Sequence, residues 1–161
     1  MTFKTSLDKL AKGITIGVIV IFSFIIGGQL IPAYGLDPIK SLLLIGPLTA
    51  ICLLCYLFRP LTYILTNDNL VIHRLFNDVI IKRQSILTAR EVNKRDMGLT
   101  IRTFGVGGLF GYFGKFSNSK IGRLTMYGTR RNNTVLIETA KKKFILTPDE
   151  PIEFVRQLLN R

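Results

Sequence analysis

The segment LTYILTNDNLVIHRLFNDVIIKR (residues 61–83) contains three short apolar, β-branched runs that are separated by asparagine and aspartate. Asn67-Asp68-Asn69 stands between the first two runs, and Asn77-Asp78 stands between the second and the third. Asparagine and aspartate tolerate left-handed backbone and form local turn hydrogen bonds. The segment therefore predicts an antiparallel meander of three strands.

Downstream of this meander, apolar runs of similar length continue for about 60 residues. The further predicted strands are ILTAREV (86–92), LTIRTF (99–104), RLTMYGT (123–129), TVLIET (134–139) and KFILT (143–147). In LTIRTF, Leu99, Ile101 and Thr103 alternate with Thr100 and Arg102, which is the period of a half-buried strand. The pattern predicts seven or eight strands in total.

The chain ends in a helical pattern. Thr147-Pro148-Asp149-Glu150 has the form of a capping box, and it predicts a C-terminal helix over residues 148–160 with an apolar face. That face needs a partner, so we expect the helix to cover a small curved sheet. The predicted fold of residues 61–161 is thus a small curved antiparallel β-sheet or an antiparallel β-barrel, capped by this helix.

Upstream of the meander, the chain is almost free of charge. Residues 14–31 and 41–58 are two runs of 18 residues without a charged side chain. A helix of that length spans about 27 Å, close to the ~30 Å hydrocarbon core of a bilayer. We therefore predict that residues 1–60 form a transmembrane hairpin, with helices over residues 13–31 and 38–58. Asp37 is the predicted N-cap of the second helix, with Pro38 at its first position.

The charges around the two helices predict their orientation. Residues 61–161 carry 17 Lys/Arg against eight Asp/Glu, and thus +9 of the chain's net +12. Lys4, Lys9 and Lys12 precede the first helix, and the positive-inside rule then places both termini in the cytoplasm of a multi-pass inner-membrane protein. Phe3, Leu7, Leu10 and Ala11 recur at helical spacing. They predict either an amphipathic extension in the membrane interface or a frayed helix start.

The order of these segments, together with particular residues, resembles the bacterial pleckstrin-homology-like (PH-like) domain family, in the membrane-tethered branch that has two preceding helices. The residues that carry the resemblance are Tyr63-x-Leu65-Thr66, Asn69-Leu70, Gly114-Lys115-Phe116, Gly122, Tyr127-x-Thr129, Thr147-Pro148-Asp149 and Phe154. The resemblance implies a binding scaffold without established catalytic residues. Many PH domains bind phosphorylated head groups with a basic first hairpin loop, but here that loop, residues 66–69, is acidic.

Several kinds of chemistry lack their motifs, and we predict no catalytic, metal or cofactor site. The sole histidine, His73, lies in a predicted strand, and no carboxylate has acid/base or metal-binding spacing. A dinucleotide fingerprint would need glycine in place of Phe110, and a P-loop would need Ser or Thr in place of Phe116. Cys52 and Cys55 lie inside the second apolar run. We also expect no nucleic-acid binding, since no helix presents a basic face.

Two functions remain open: protein interaction or oligomerisation at the membrane, and binding of anionic lipid head groups. The segment FGVGGLFGYFGKF (104–116) has five glycines, and its rings are predicted to pack internally, contact the membrane or contact a partner, with Tyr112 and Phe113 at its tip. The candidate partner or membrane contacts are Phe110, Tyr112, Phe113 and Phe116. The candidate anionic-lipid contacts are Arg130, Arg131, Lys141, Lys142 and Lys143. The predicted partners are thus the bilayer, a second copy or another membrane protein, and anionic lipids.

Overall fold

The computed structural model of the chain describes residues 1–29, 37–93 and 96–160. Strand β1 (Thr2–Lys4) precedes helices α1 (Lys9–Gln29) and α2 (Pro38–Leu57). The strands that follow are β2 (Pro60–Leu65), β3 (Asn69–Arg74), β4 (Val79–Lys82), β5 (Ile86–Val92), β6 (Thr100–Gly107), β7 (Tyr112–Asn118), β8 (Gly122–Gly128), β9 (Thr134–Thr139) and β10 (Lys143–Leu146). The chain ends in α3 (Pro151–Leu159).

The strands form two sheets. The smaller sheet has the order β1-β2-β3-β4, and the larger has the order β5-β9-β10-β8-β7-β6. Neighbouring strands run antiparallel, with the exception of β8 and β10, which run parallel. The prediction of a wholly antiparallel barrel is therefore wrong in two respects: the sheets form an open sandwich, and one pair of strands is parallel.

The main core lies between the two sheets and beneath α3. It is formed by Phe3, Tyr63, Leu65, Leu70, Ile72, Ile81, Ile86, Ala89, Val135, Ile137, Phe144, Leu146, Phe154 and Leu158. A second cluster lies on the other face of the larger sheet, where Leu7 and Ala11 cover Tyr112, Leu136 and Ile145.

The C-terminal helix begins later than predicted. Its first residue is Pro151, and Glu150 stands at the N-cap position without a side-chain capping bond. The predicted capping box from Thr147 does not form, because Thr147 is buried and its side chain bonds the backbone N–H of Thr129 at 2.9 Å.

The N-terminal residues belong to the β-sandwich. Phe3 pairs with Tyr63 across β1 and β2, and its ring packs edge-to-face on Phe154 at 5.1 Å. The N-terminal ammonium group donates to the carbonyl of Leu65 at 2.8 Å. Phe3 therefore belongs neither to an interfacial amphipathic extension nor to a frayed helix start, which were the two alternatives predicted. Strand β1 is added to the module predicted to start at residue 61. A three-residue strand is too short to show its period in the sequence.

Helix α1 begins at Lys9 because Asp8 caps it, accepting from the N–H of Ala11 at 2.7 Å. Asp37 caps α2 as predicted, accepting from the N–H of Ile39 at 2.9 Å. In the described residues, one helix is long and apolar enough to cross a membrane, over Lys9–Gly28, whereas the apolar part of α2 is the shorter Ile45–Leu57. The predicted first helix extends to residue 31, and its last two residues lie outside the described part of the chain.

Candidate functional site

The glycine-aromatic segment forms the β6–β7 hairpin. Gly105 and Gly114 stand opposite each other in this hairpin, with φ angles of +119° and +122°. A Cβ atom on either residue would lie 2.3 Å from a carbonyl oxygen of the opposite strand. Close approach of the two backbones therefore requires glycine at both positions.

The tip of the hairpin lies against both helices. Gly108 donates to the carbonyl of Gly111 at 2.8 Å, which closes the turn. The N–H of Phe110 donates to Oγ1 of Thr15 on α1 at 3.0 Å. The Phe110 ring packs edge-to-face on Tyr56 of α2, with 5.3 Å between the ring centroids. The hairpin therefore joins the sandwich to the helix pair.

Three of the four predicted contact rings lie inside the protein. Tyr112, Phe113 and Phe116 are buried, and Phe110 is partly buried. The prediction that Tyr112 and Phe113 form the tip is wrong, because β7 begins at Tyr112. Burial, followed by the charge of Asp8, raises the pKa of Tyr112, whose hydroxyl lies 3.3 Å from both Asp8 carboxylate oxygens.

Strand β6 presents an apolar edge to solvent. In the described residues it pairs with β7 alone, so its other side is free. Leu99, just before the strand, is 72% exposed, Ile101 is 58% exposed and Phe104 is 75% exposed. We call Leu99, Ile101 and Phe104 with the free side of β6 the β6 edge. The sequence alternation predicted a strand with one buried face here. In the described residues, however, residues 101–105 are all exposed, so neither face of this part of β6 is covered.

The two predicted groups of basic residues lie at opposite ends of β9. Arg131 precedes this strand, and its N–H donates to Asp8 beside the start of α1 at 3.2 Å. Lys141 and Lys142 follow the strand, which is six residues long. Because a strand rises about 3.3 Å per residue, about 20 Å separates the two ends. The predicted basic residues therefore do not form one patch.

Arg130 has a structural role in this arrangement. Its guanidinium pairs with Asp149 at 2.8 Å and donates to the carbonyl groups of Thr147 and Pro148. The Arg130 side chain is only 14% exposed. Arg131, in contrast, is exposed, with its guanidinium 4.9 Å from the centre of the Tyr112 ring.

We call Lys141, Lys142 and Lys143 the lysine run. It borders a concave surface on the larger sheet, with a volume of about 690 Å³. We call this surface the basic groove. Its residues are Thr103, Lys115, Phe116, Ser117, Arg123, Leu124, Thr125, Lys141, Lys142 and Lys143. Lys115 and Arg123 did not appear among the predicted site residues, because β7 was not predicted as a strand. No local sequence signal brings Lys115 and Arg123 together, because their proximity depends on the β7–β8 register, in which Ser117 pairs with Arg123.

The lone histidine lies in an ordinary surface contact with a carboxylate. His73 Nδ1 lies 2.9 Å from Asp78. The hydrogen bond from the backbone N–H of Arg74 lowers the pKa of Asp78, and the contact with His73 lowers it further. Within the described residues there is no group of three His, Cys, Asp or Glu side chains that would hold a metal ion.

An open sandwich of two small sheets with a C-terminal helix on its core is the architecture of a PH-like domain. The family model described as Bacterial PH domain matches residues 61–161, and the chain belongs to this family. No curated protein and no solved structure matches the chain. The family match supports the PH-like part of the resemblance and indicates a binding module.

Proposed function

We propose that the protein is a non-catalytic, membrane-tethered PH-like module that binds a protein partner at the cytoplasmic surface of the membrane through the β6 edge. The observation that carries the proposal is the exposure of Leu99, Ile101 and Phe104 next to unpaired backbone. A free strand edge accepts an extended segment of another chain, and the flanking apolar side chains add buried area.

The tether is supported by the contacts at the domain ends of both helices. Asp8, which directly precedes helix α1, donates its N–H to the carbonyl of Thr129 at 3.2 Å. Helix α2 ends where the carbonyl of Leu57 accepts from the N–H of Phe76 at 3.2 Å. The sandwich therefore contacts the N-terminal end of α1 and the C-terminal end of α2.

The pairing of β1 with β2 links the topology of the two helices. Residues on either side of the α1–α2 pair hydrogen-bond to each other, for example Met1 with Leu65. These strands cannot pair across a bilayer, since unpaired backbone in hydrocarbon is costly. If α1 crosses the membrane, α2 must cross back, although its apolar part is short. Helix α2 has 20 residues, or about 30 Å, which is enough for that crossing.

The partner is an extended segment of another membrane protein or of a second copy of this chain. A photo-crosslinking residue at position 104, in native membranes, tests the proposal directly. We expect a protein adduct, because Phe104 lies on the β6 edge. The matched control is position 80, where Ile80 is 64% exposed on β4, the edge strand of the other sheet. Lipid adducts alone at position 104, or equal protein adducts at both positions, would contradict the proposal.

A second proposed function is the binding of an anionic lipid head group, and the position of Arg131 favours it. Arg131 is exposed and bonded to Asp8, so it lies beside Lys9 and Lys12 at the start of α1. A cation near an anionic leaflet contributes about 1 kcal/mol. Native mass spectrometry of the full chain measures retained anionic lipid. We expect Arg131→Gln to lower it and Lys142→Gln to leave it unchanged; equal effects would contradict a site at the helix start.

A further inference from the structure

The basic groove collects cations from three parts of the larger sheet. Lys115 pairs with Thr125, and Ser117 pairs with Arg123, so these four residues alternate on one face of β7 and β8. Phe144 pairs with Thr125 on the other side of β8, which brings the turn before β10 to the same groove. Five basic residues and three hydroxyl groups, those of Thr103, Ser117 and Thr125, line the groove.

Most of these charges have no partner of opposite sign. Lys143 pairs with Glu138 at 3.1 Å, and Lys143 and Thr88 lower the pKa of that carboxyl group. In the part of the chain that the structure describes, no carboxylate forms an ion pair with Lys115, Arg123, Lys141 or Lys142. Neighbouring like charges repel, and a bound anion removes that repulsion.

The size and the donors of the groove define the class of ligand. Small-molecule sites have volumes of roughly 300–1,000 Å³, and the groove, at about 690 Å³, lies within that range. Arginine, lysine and hydroxyl groups are the side chains that bind phosphate oxygens. The groove lies on β7, β8 and the β9–β10 turn. The head-group site that the resemblance to PH domains implies lies elsewhere, in the first hairpin loop, residues 66–69.

The register of β7 and β8 shows how far the groove lies from the helices. Tyr112 and Gly128 form the pair nearest the hairpin tip that contacts Thr15. On β7, Lys115 is three residues from Tyr112, or about 10 Å. On β8, Arg123 is five residues from Gly128, or about 17 Å. Attraction to a charged membrane surface is largely screened beyond about 10 Å. If the proposed tether is correct, Lys115 lies at about this screening distance from the hairpin tip, and Arg123 lies beyond it.

We propose that the basic groove binds a small soluble anion that carries several phosphate groups. The phosphates replace the missing carboxylate partners of Lys115, Arg123, Lys141 and Lys142. The hydroxyl groups of Ser117 and Thr125 donate to the remaining oxygens, whereas that of Thr103 donates to the carbonyl of Lys115. The phosphate chemistry rests on the groove itself, and the assignment to a soluble source rests on the proposed membrane tether.

The test is isothermal titration of the full chain, in nanodiscs of zwitterionic lipid, with inorganic tripolyphosphate. We expect saturable binding that weakens about fivefold or more in Lys115→Gln and in Arg123→Gln, since each removes one charge-assisted contact. The matched control is Lys82→Gln, which removes an exposed lysine of β4 and should change the affinity less than about twofold. A tripolyphosphate-induced rise in the unfolding temperature of each variant shows whether it remains folded and binds.

Two results would overturn the site: no saturable binding by the wild-type chain, or an equal loss in Lys82→Gln. A second arm separates the two sources of phosphate. Free vesicles of zwitterionic lipid containing a phosphoinositide are mixed with the nanodiscs and sedimented. No co-sedimentation supports a soluble ligand, whereas co-sedimentation that requires Lys115 and Arg123 overturns that assignment in favour of a lipid head group of a facing membrane.

Discussion

Tyr63 joins the two sheets through its hydroxyl group. The hydroxyl donates to the carbonyl of Tyr127 at 2.6 Å and accepts from the N–H of Thr147 at 3.1 Å. The side chain is completely buried, and this burial raises its pKa. The phenol therefore remains neutral and keeps the proton that it donates.

We expect Tyr63→Phe to lower the free energy of unfolding by about 1.5–3 kcal/mol, because the buried N–H of Thr147 and the part-buried carbonyl of Tyr127 lose this partner. Denaturant unfolding in mild detergent, followed by near-ultraviolet circular dichroism, measures the change. The control is Tyr56→Phe, since the Tyr56 hydroxyl makes no hydrogen bond to the described residues and its residue is 39% exposed. Equal stability of Tyr63→Phe and the wild type would contradict the role of the hydroxyl.

Gly114 is a second residue whose identity is fixed by its surroundings. We expect Gly114→Ala to destabilise the sandwich by at least about 2 kcal/mol, because the new methyl group would clash with the Phe104 carbonyl and strain the backbone. Thermal unfolding measures the effect. Gly13→Ala is the comparison, since its Cβ would have no atom within 4 Å. A similar unfolding temperature for both variants would disprove the close approach of β6 and β7.

At the scale of elements, most of the strands are predictable from local pattern. The meander over residues 61–83 becomes β2, β3 and β4, because apolar alternation and Asn/Asp turns act over short distances. Strand β7 is different: Gly114 interrupts its alternation, and its register depends on the pairing of Gly105 with Gly114. The groove residues Lys115 and Arg123 could not be brought together without that register.

Strand β1 shows the same limit in another form. Three residues carry no readable period, and the spacing of Phe3, Leu7, Leu10 and Ala11 fits a helix by coincidence. The burial of Phe3 depends on Tyr63 and Phe154, which are 60 residues or more away in the sequence. Tertiary packing therefore overrides the local pattern at the N-terminus.

We expect Phe3→Ala to reduce the free energy of unfolding by about 3 kcal/mol, because a buried ring that packs on Phe154 is lost. Thr2→Ala is a matched control on the same strand, since Thr2 faces solvent and its change should be close to zero. Denaturant unfolding of the full chain measures both. An unchanged stability of Phe3→Ala would mean that β1 is not part of the folded module.

At the scale of the whole molecule, the contacts with different partners are separated along the strands. The hairpin tip and Arg131 lie at the helix end of the larger sheet, whereas Lys115, Arg123 and the lysine run lie towards the other end. The β6 edge runs between these two ends. The three proposed contacts, with a membrane, a protein partner and a soluble anion, therefore use different residues, although the basic groove adjoins the β6 edge at Thr103. The proposals predict that variants of Arg131, Phe104 and Lys115 act independently.

The pairing of β1 with β2 leads to the last prediction, which concerns how the chain crosses the membrane. Because these strands share one sheet, either both helices cross or neither does. Single cysteines at Thr2, Lys40 and Asn77, in a Cys52→Ala/Cys55→Ala background, report the sides on which they lie. All three native residues are solvent-exposed in the structure.

With a membrane-impermeant thiol reagent on intact cells and on inverted vesicles, we expect Thr2→Cys and Asn77→Cys to react from the cytoplasmic side. Lys40→Cys, at the opposite end of α2 from the sandwich, should react from the outer side. Reaction of all three from the cytoplasmic side would show that neither helix crosses, which contradicts the tether while leaving the sandwich intact. Reaction of Thr2→Cys and Asn77→Cys from opposite sides would contradict the β1–β2 pairing itself, because no sheet spans the bilayer between those residues.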